Sequence, residues 1–176
     1  MTMIYLTADL HLNHKNIIKY CNRPYFDLHN MNFSLIQNWN SVVNHGDAVY
    51  ILGDFGFFDN DLVIKKYVEQ LKGNKILITG NHDRKTVKNC DHFKEITNYK
   101  KINYDKKTII MFHYPIASWD RKHHGSYHAY GHCHGVFKNC GLSHDVGVDN
   151  NNYTPISIID FFDKCHATNL EDTKNP

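Results

Sequence analysis

Three short apolar runs, Ile4–Ala8, Ala48–Leu52 and Ile76–Ile78, each stop abruptly at residues that can bind a metal or move a proton. Their β-favouring composition and short length mark them as buried strands. Between them, Met31, Leu35, Ile36, Trp39, Val42 and Val43 recur at helical spacing, as do Ile64, Tyr67, Val68 and Leu71. Asn60 or Asp61 is the expected N-cap of the second helix. A short helix is expected over Lys15–Cys21, closed off by Asn22-Arg23-Pro24.

The second half is richer in strands. They are expected around Phe93–Tyr104, Thr108–His113, Tyr127–Tyr130, Ser143–Val148 and Pro155–Ile158, with a turn at Asp105-Lys106-Lys107 and a short helix from Asp160. Strand–helix alternation followed by a strand-rich half points to an α/β fold of two β-sheets packed face to face, with helices outside each. At 176 residues the chain fits one domain, read here as 1–167 with a polar C-terminal tail over 168–176.

Ligands of open α/β sheets sit beyond the carboxyl ends of strands. The polar interruptions there are Asp9-Leu10-His11, Gly53-Asp54, Gly80-Asn81-His82-Asp83, His113 and Gly131-His132-Cys133-His134. Singly each is ordinary, because an Asp after a strand is usually a turn former or helix cap. As an ordered set they offer carboxylates, imidazoles and an amide oxygen, the donors of a two-metal site. Fourteen histidines in the chain are in keeping with metal or acid–base chemistry.

Taken in order, these motifs resemble the signature of the calcineurin-like metallophosphoesterases, from Asp9 to His134. Asn13–Ile18, Cys21–Pro24, His113-Tyr114-Pro115 and Asp145–Asp149 further resemble small bacterial and phage members. The resemblance implies a four-layer αββα sandwich and two divalent metal ions. One would be held by Asp9, His11, Asp54 and His134. The other would be held by Asp54, Asn81, His113 and His132, so that Asp54 bridges. His82 would face the substrate phosphate, oriented by Asp83. Arg23 and Asn16 are substrate-binding candidates on a nearby loop, Arg23 because a guanidinium suits a phosphate.

Mixed nitrogen and oxygen ligation favours Mn²⁺, with Fe, Zn²⁺ or Ni²⁺ as alternatives, over Mg²⁺. Such a pair activates a water and clamps phosphate oxygens. The expected activity is hydrolysis of a small soluble or nucleotide-type phosphate mono- or diester. A nuclease acting on polymeric nucleic acid is the alternative, and a non-catalytic scaffold of the same fold a more remote one. A net charge of +2 does not demand a nucleic-acid groove. No apolar run is long enough to cross a bilayer. Five scattered cysteines and no export signal make the expected location the cytoplasm. Cys133 is expected to point away from the metals, because side chains alternate in an extended segment.

Overall fold

A computed structural model describes the backbone of residues 2–138 and 140–174 and side chains up to Ala167. Among the described residues nine strands form two sheets. The first contains β1 (Ile4–Thr7), β2 (Ala48–Leu52), β3 (Asn74–Ile78), β4 (Glu95–Thr97) and β9 (Ile156–Ser157), in the order β4-β3-β2-β1-β9. Strands β1 to β4 run parallel, and β9 lies antiparallel against β1. The second contains β5 (Lys100–Tyr104), β6 (Lys107–Met111), β7 (Tyr127–Tyr130) and β8 (Ser143–Asp145), in sequence order. Here β5 and β6 form an antiparallel hairpin, while β6, β7 and β8 run parallel.

Side chains that alternate along the first sheet divide between two cores. Val49 and Ile51 of β2 and Leu77 of β3 pack with Met31, Leu35, Ile36 and Trp39 of α2 (Leu28–Val42) and Ile64 and Val68 of α3 (Asp61–Gln70). Leu6, Leu52 and Ile78 turn the other way and meet Ile109, Met111, Tyr127 and Ala129 of the second sheet. The two sheets are therefore packed face to face. Phe161, Phe162 and Cys165 of α5 (Ile158–Lys174) join this second core. The result is the expected mixed α/β sandwich of two sheets flanked by helices.

Local chemistry sets the helix starts. Asp27 accepts from Asn30 N and Asn60 from Leu62 N, each satisfying a donor that the first turn leaves open. Helix α1 spans only Ile17–Tyr20. Four elements depart from the sequence reading. The strand expected over Phe93–Tyr104 is split in two by the bend at Asn98-Tyr99, so that β4 joins one sheet and β5 the other. Helix α4 (Lys85–Lys88) was not signalled. The strand expected over Ser143–Val148 ends at Asp145 and gives way to a 3-10 turn at Val148–Asn150. The backbone of Thr168–Lys174, expected as a tail, continues α5, while Asn175 and Pro176 lie outside the described residues.

Candidate metal centre

Past their last residues, β1 and β2 run on side by side as loops. Asp9 N donates to Gly53 O, His11 N to Asp54 O and Leu12 N to Phe55 O. The loops after β6 and β7 are joined the same way, with Gly131 N donating to His113 O. Glycine makes the approach tight. A Cβ on Gly80 would lie 2.2 Å from Asp54 Oδ1, and one on Gly53 2.3 Å from His113 Nδ1.

These loops gather the candidate ligands into two groups. Asp9, His11 and His134 place one donor atom each within 4.8 Å of one another, and so do Asp54, His113 and His132. Asp54 Oδ2 joins the groups, 3.5 Å from His11 Nε2 and 3.6 Å from His113 Nε2. Asn81 Oδ1 lies 2.9 Å from His113 Nε2. Cys133 belongs to neither group among the described residues. The segment is not extended, however, since His132 and His134 have φ of 70° and 48°, so side-chain alternation does not set the direction of Cys133.

Asp9, His11, Asp54, His132 and His134 all occupy the left-handed region of backbone space, uncommon for residues other than glycine. Such strain, of order 1–3 kcal/mol per residue, persists where surroundings over-determine it and clusters at functional sites.

The partners of each side chain fix which atoms remain for a ligand. His113 Nδ1 faces Leu52 O at 2.7 Å and carries the proton there, so Nε2 presents its lone pair to Asp54 and Asn81. His134 Nδ1 faces Asp149 Oδ2 at 2.7 Å, which leaves Nε2 as the lone pair. Asp54 Oδ1 accepts from His82 N, leaving Oδ2 for the centre. Asp9 Oδ2 accepts from His132 N, whereas Asp9 Oδ1 is buried with no hydrogen-bond partner among the described residues. His11 Nε2 is likewise buried and unbonded. Orphaned buried polar atoms are costly. A divalent cation would satisfy both, so the residues present fit a metal site.

The electrostatics agree. Burial, then the Asp145 and Asp54 carboxylates, pushes the pKa of Asp9 well above the usual carboxylate range. Burial also raises that of Asp54. Burial, then Arg23, lowers that of His11 to about 2, and burial lowers that of His113 to about 4. Burial thus disfavours the charged form of His11 and of His113, as ligation requires.

Two expectations need correction. Arg23 is buried rather than facing the cleft. Its Nε and Nη2 bind Asp149 at 2.8 Å each, Nη2 also donates to Asp9 O, and Nη1 donates to Leu10 O and approaches Met31 Sδ. All five guanidinium N–H groups are thereby engaged and none is left for a phosphate. Arg23 instead braces the Asp9 loop and holds Asp149, which supports His134. Among the described residues no hydrogen bond joins Asp83 to the ring of His82. The buried carboxylate of Asp83 accepts from Asp54 N, Phe55 N and Gly80 N, tying the β2 and β3 loops together. Asn16 is exposed at the N-cap of α1, and its side chain makes no capping bond.

Asp145 and Asp149 support the candidate ligands, and their spacing did not single them out. Asp145 accepts from Gly135 N and Gly147 N, and so holds the loop after His134. Asp149 lies in a short turn with no strand end to mark it; its appearance in the stretch Asp145–Asp149 was the only signal. A cleft of about 620 Å³ opens beside the centre, lined by Tyr20, Cys21, Asn22, His132, His134 and Val136 among others.

Residues 3–155 match the calcineurin-like phosphoesterase superfamily domain. The chain is 37% identical over 165 residues to the protein MJ1445 of Methanocaldococcus jannaschii, covering 90% of this chain and 88% of that one. It is 30% identical over 118 residues to the gene 66 protein of Mycobacterium phage L5, covering 66% of this chain and 56% of that one. The crystal structure of AQ665 from Aquifex aeolicus, described as a protein of unknown function, is similar with a TM-score of 0.75 and 28% identity. That likeness covers 93% of this chain and 99% of AQ665. With the fold, the ligand groups and the family match in agreement, this chain belongs to the calcineurin-like phosphoesterase superfamily.

Proposed function

We propose that the protein hydrolyses small phosphate esters, of soluble or nucleotide type, with two divalent metal ions bridged by Asp54. The observation that carries this reading is the position of Asp54 Oδ2 between His11 Nε2 and His113 Nε2, at 3.5 and 3.6 Å. Asp9, His11 and His134 would complete one site, and Asn81, His113 and His132 the other. When bound, such a pair activates water and neutralises phosphate charge. The mixed donor set favours Mn²⁺. The cleft of about 620 Å³ supports a small substrate, since it falls in the ordinary size range of small-molecule sites. A polymer-cleaving nuclease would instead lose activity steeply with salt.

His82 is exposed, and its ring centroid lies 5.5 Å from that of His11. In this reading it donates a proton to the leaving oxygen. We place residues 1–167 in one catalytic unit. Among the described residues no helix is long and apolar enough to cross a membrane. All five cysteines are unpaired, which supports a cytoplasmic setting.

The test is reconstitution of chelated protein with Mn²⁺, followed by metal analysis and assays on mono- and diesters. Two bound ions per chain are expected, and failure to bind a transition metal would sink the reading. His82→Ala should keep both ions and lose about 10²–10⁴ in kcat. The loss should be smaller for a nitrophenolate leaving group, which needs no proton. Equal losses for good and poor leaving groups would remove the acid role.

A further inference from the structure

His11 differs from His113 and His134 in what supports its second nitrogen. His113 Nδ1 faces a backbone carbonyl and His134 Nδ1 a carboxylate, both of which only accept. His11 Nδ1 instead faces another imidazole, with His14 Nδ1 3.3 Å away. His14 is held in place from several sides. Its backbone N–H donates to His11 O, and its own carbonyl accepts from Ile17 N at the start of α1. Its ring stacks on Phe57, with centroids 4.0 Å apart and planes 22° from parallel. Phe57 is itself tied to the same loop, because Phe57 N donates to Leu12 O.

We propose that His14 is a positioning residue for His11, fixing its tautomer and ring orientation for the metal site that His11 shares with Asp9 and His134. This inference rests on the two-metal reading above.

Two Nδ1 atoms in hydrogen-bond contact need one proton between them. His11 Nε2 is buried without a hydrogen bond and lies 3.5 Å from Asp54 Oδ2, so it is the atom free to ligate. A neutral His11 that ligates through Nε2 carries its proton on Nδ1. His14 Nδ1 must then be the acceptor, and a neutral His14 carries its proton on Nε2. The stack on Phe57 holds the acceptor ring in the orientation this contact requires. Partners of this kind orient metal ligands, and their loss typically costs about 10–100-fold in metal affinity.

The experiment compares wild type, His14→Phe and His14→Gln by calorimetric titration of the chelated proteins with Mn²⁺, together with thermal melts of the metal-free forms. Phenylalanine keeps a flat ring for the stack and removes the acceptor, whereas glutamine offers an amide oxygen. We expect His14→Phe to weaken one of two Mn²⁺ sites by about 10–100-fold while the other is unchanged. His14→Gln should recover part of that loss, and the metal-free melting temperatures should agree. In ¹⁵N spectra of metal-loaded wild type, His14 should appear as the Nε2–H tautomer. Two sites of wild-type affinity in His14→Phe would overturn the proposal. So would equal weakening of both sites, no recovery in His14→Gln, or a drop in metal-free melting temperature large enough to account for the loss. If the wild-type protein itself bound no Mn²⁺, the two-metal reading would fail first, which separates the two failures.

Discussion

At Arg23 and Asp149 a sequence separation of 126 residues closes into a buried, bidentate ion pair, with side-chain exposures of 0% and 7%. Burial alone would raise the pKa of Asp149, but the bonds from His134 and Arg23 outweigh it and hold the carboxyl below its usual range. Asp149 is thus kept ionised where it supports His134. Removing one member of such a pair leaves an uncompensated buried charge, at a cost of about 3–5 kcal/mol. Arg23→Met should therefore lower stability by about that amount in urea unfolding. A phosphate clamp would behave differently: the variant would unfold like wild type and show a raised KM. The same distinction applies to Asp83, whose acidic side chain beside His82 looked like a catalytic partner in sequence. Its carboxylate accepts from three backbone donors instead.

Among the elements, β1, β2 and β3 matter for where they stop. Their parallel register places the residues after Thr7, Leu52 and Ile78 at one edge, so Asp9, Asp54 and Asn81 converge without being near in sequence. Both the second strand and its stop at Gly53-Asp54 were legible, because a buried run of five apolar residues has few other readings. The division of residues 93–104 between two sheets was not. Period-two patterning runs through both strands, and only the pairing partners distinguish them. The close approach of the β2 and β3 loops gives a sharp test. Gly80→Ala would put a methyl group 2.2 Å from Asp54 Oδ1 and 2.5 Å from Asp54 N. We expect a loss of about 1–3 kcal/mol and loss of Mn²⁺ from at least one site. Gly46→Ala, with nothing within 4 Å of the added carbon, should change neither metal content nor melting temperature by much.

For the molecule as a whole, burial of histidine ties stability to pH away from the metal centre. His128 and His144 are both buried, and burial lowers each pKa to about 4. Unfolded, each titrates near 6.5 and takes up a proton that the folded form resists. The unfolded state therefore binds more protons between those values. Stability is full above about pH 6.5 and falls as pH drops toward 4. Urea unfolding of the metal-free protein at pH 7 and pH 5 should show this loss, and His128→Asn should reduce it; no pH effect on the difference between variant and wild type would refute the assignment. By itself the sequence determined the α/β class, the three leading strands, the two amphipathic helices and the ordered set of donors at strand ends. Each of these follows from local periodicity or from a residue's own chemistry. Only the tertiary structure decided what each donor faces: the backbone carbonyl behind His113, the carboxylate behind His134, the imidazole behind His11, and the burial of Arg23 away from the cleft. Those partners lie as far apart as 126 residues and meet through strand pairing and left-handed loops. No spacing rule reaches across such distances, because long-range register is set by packing of the whole core.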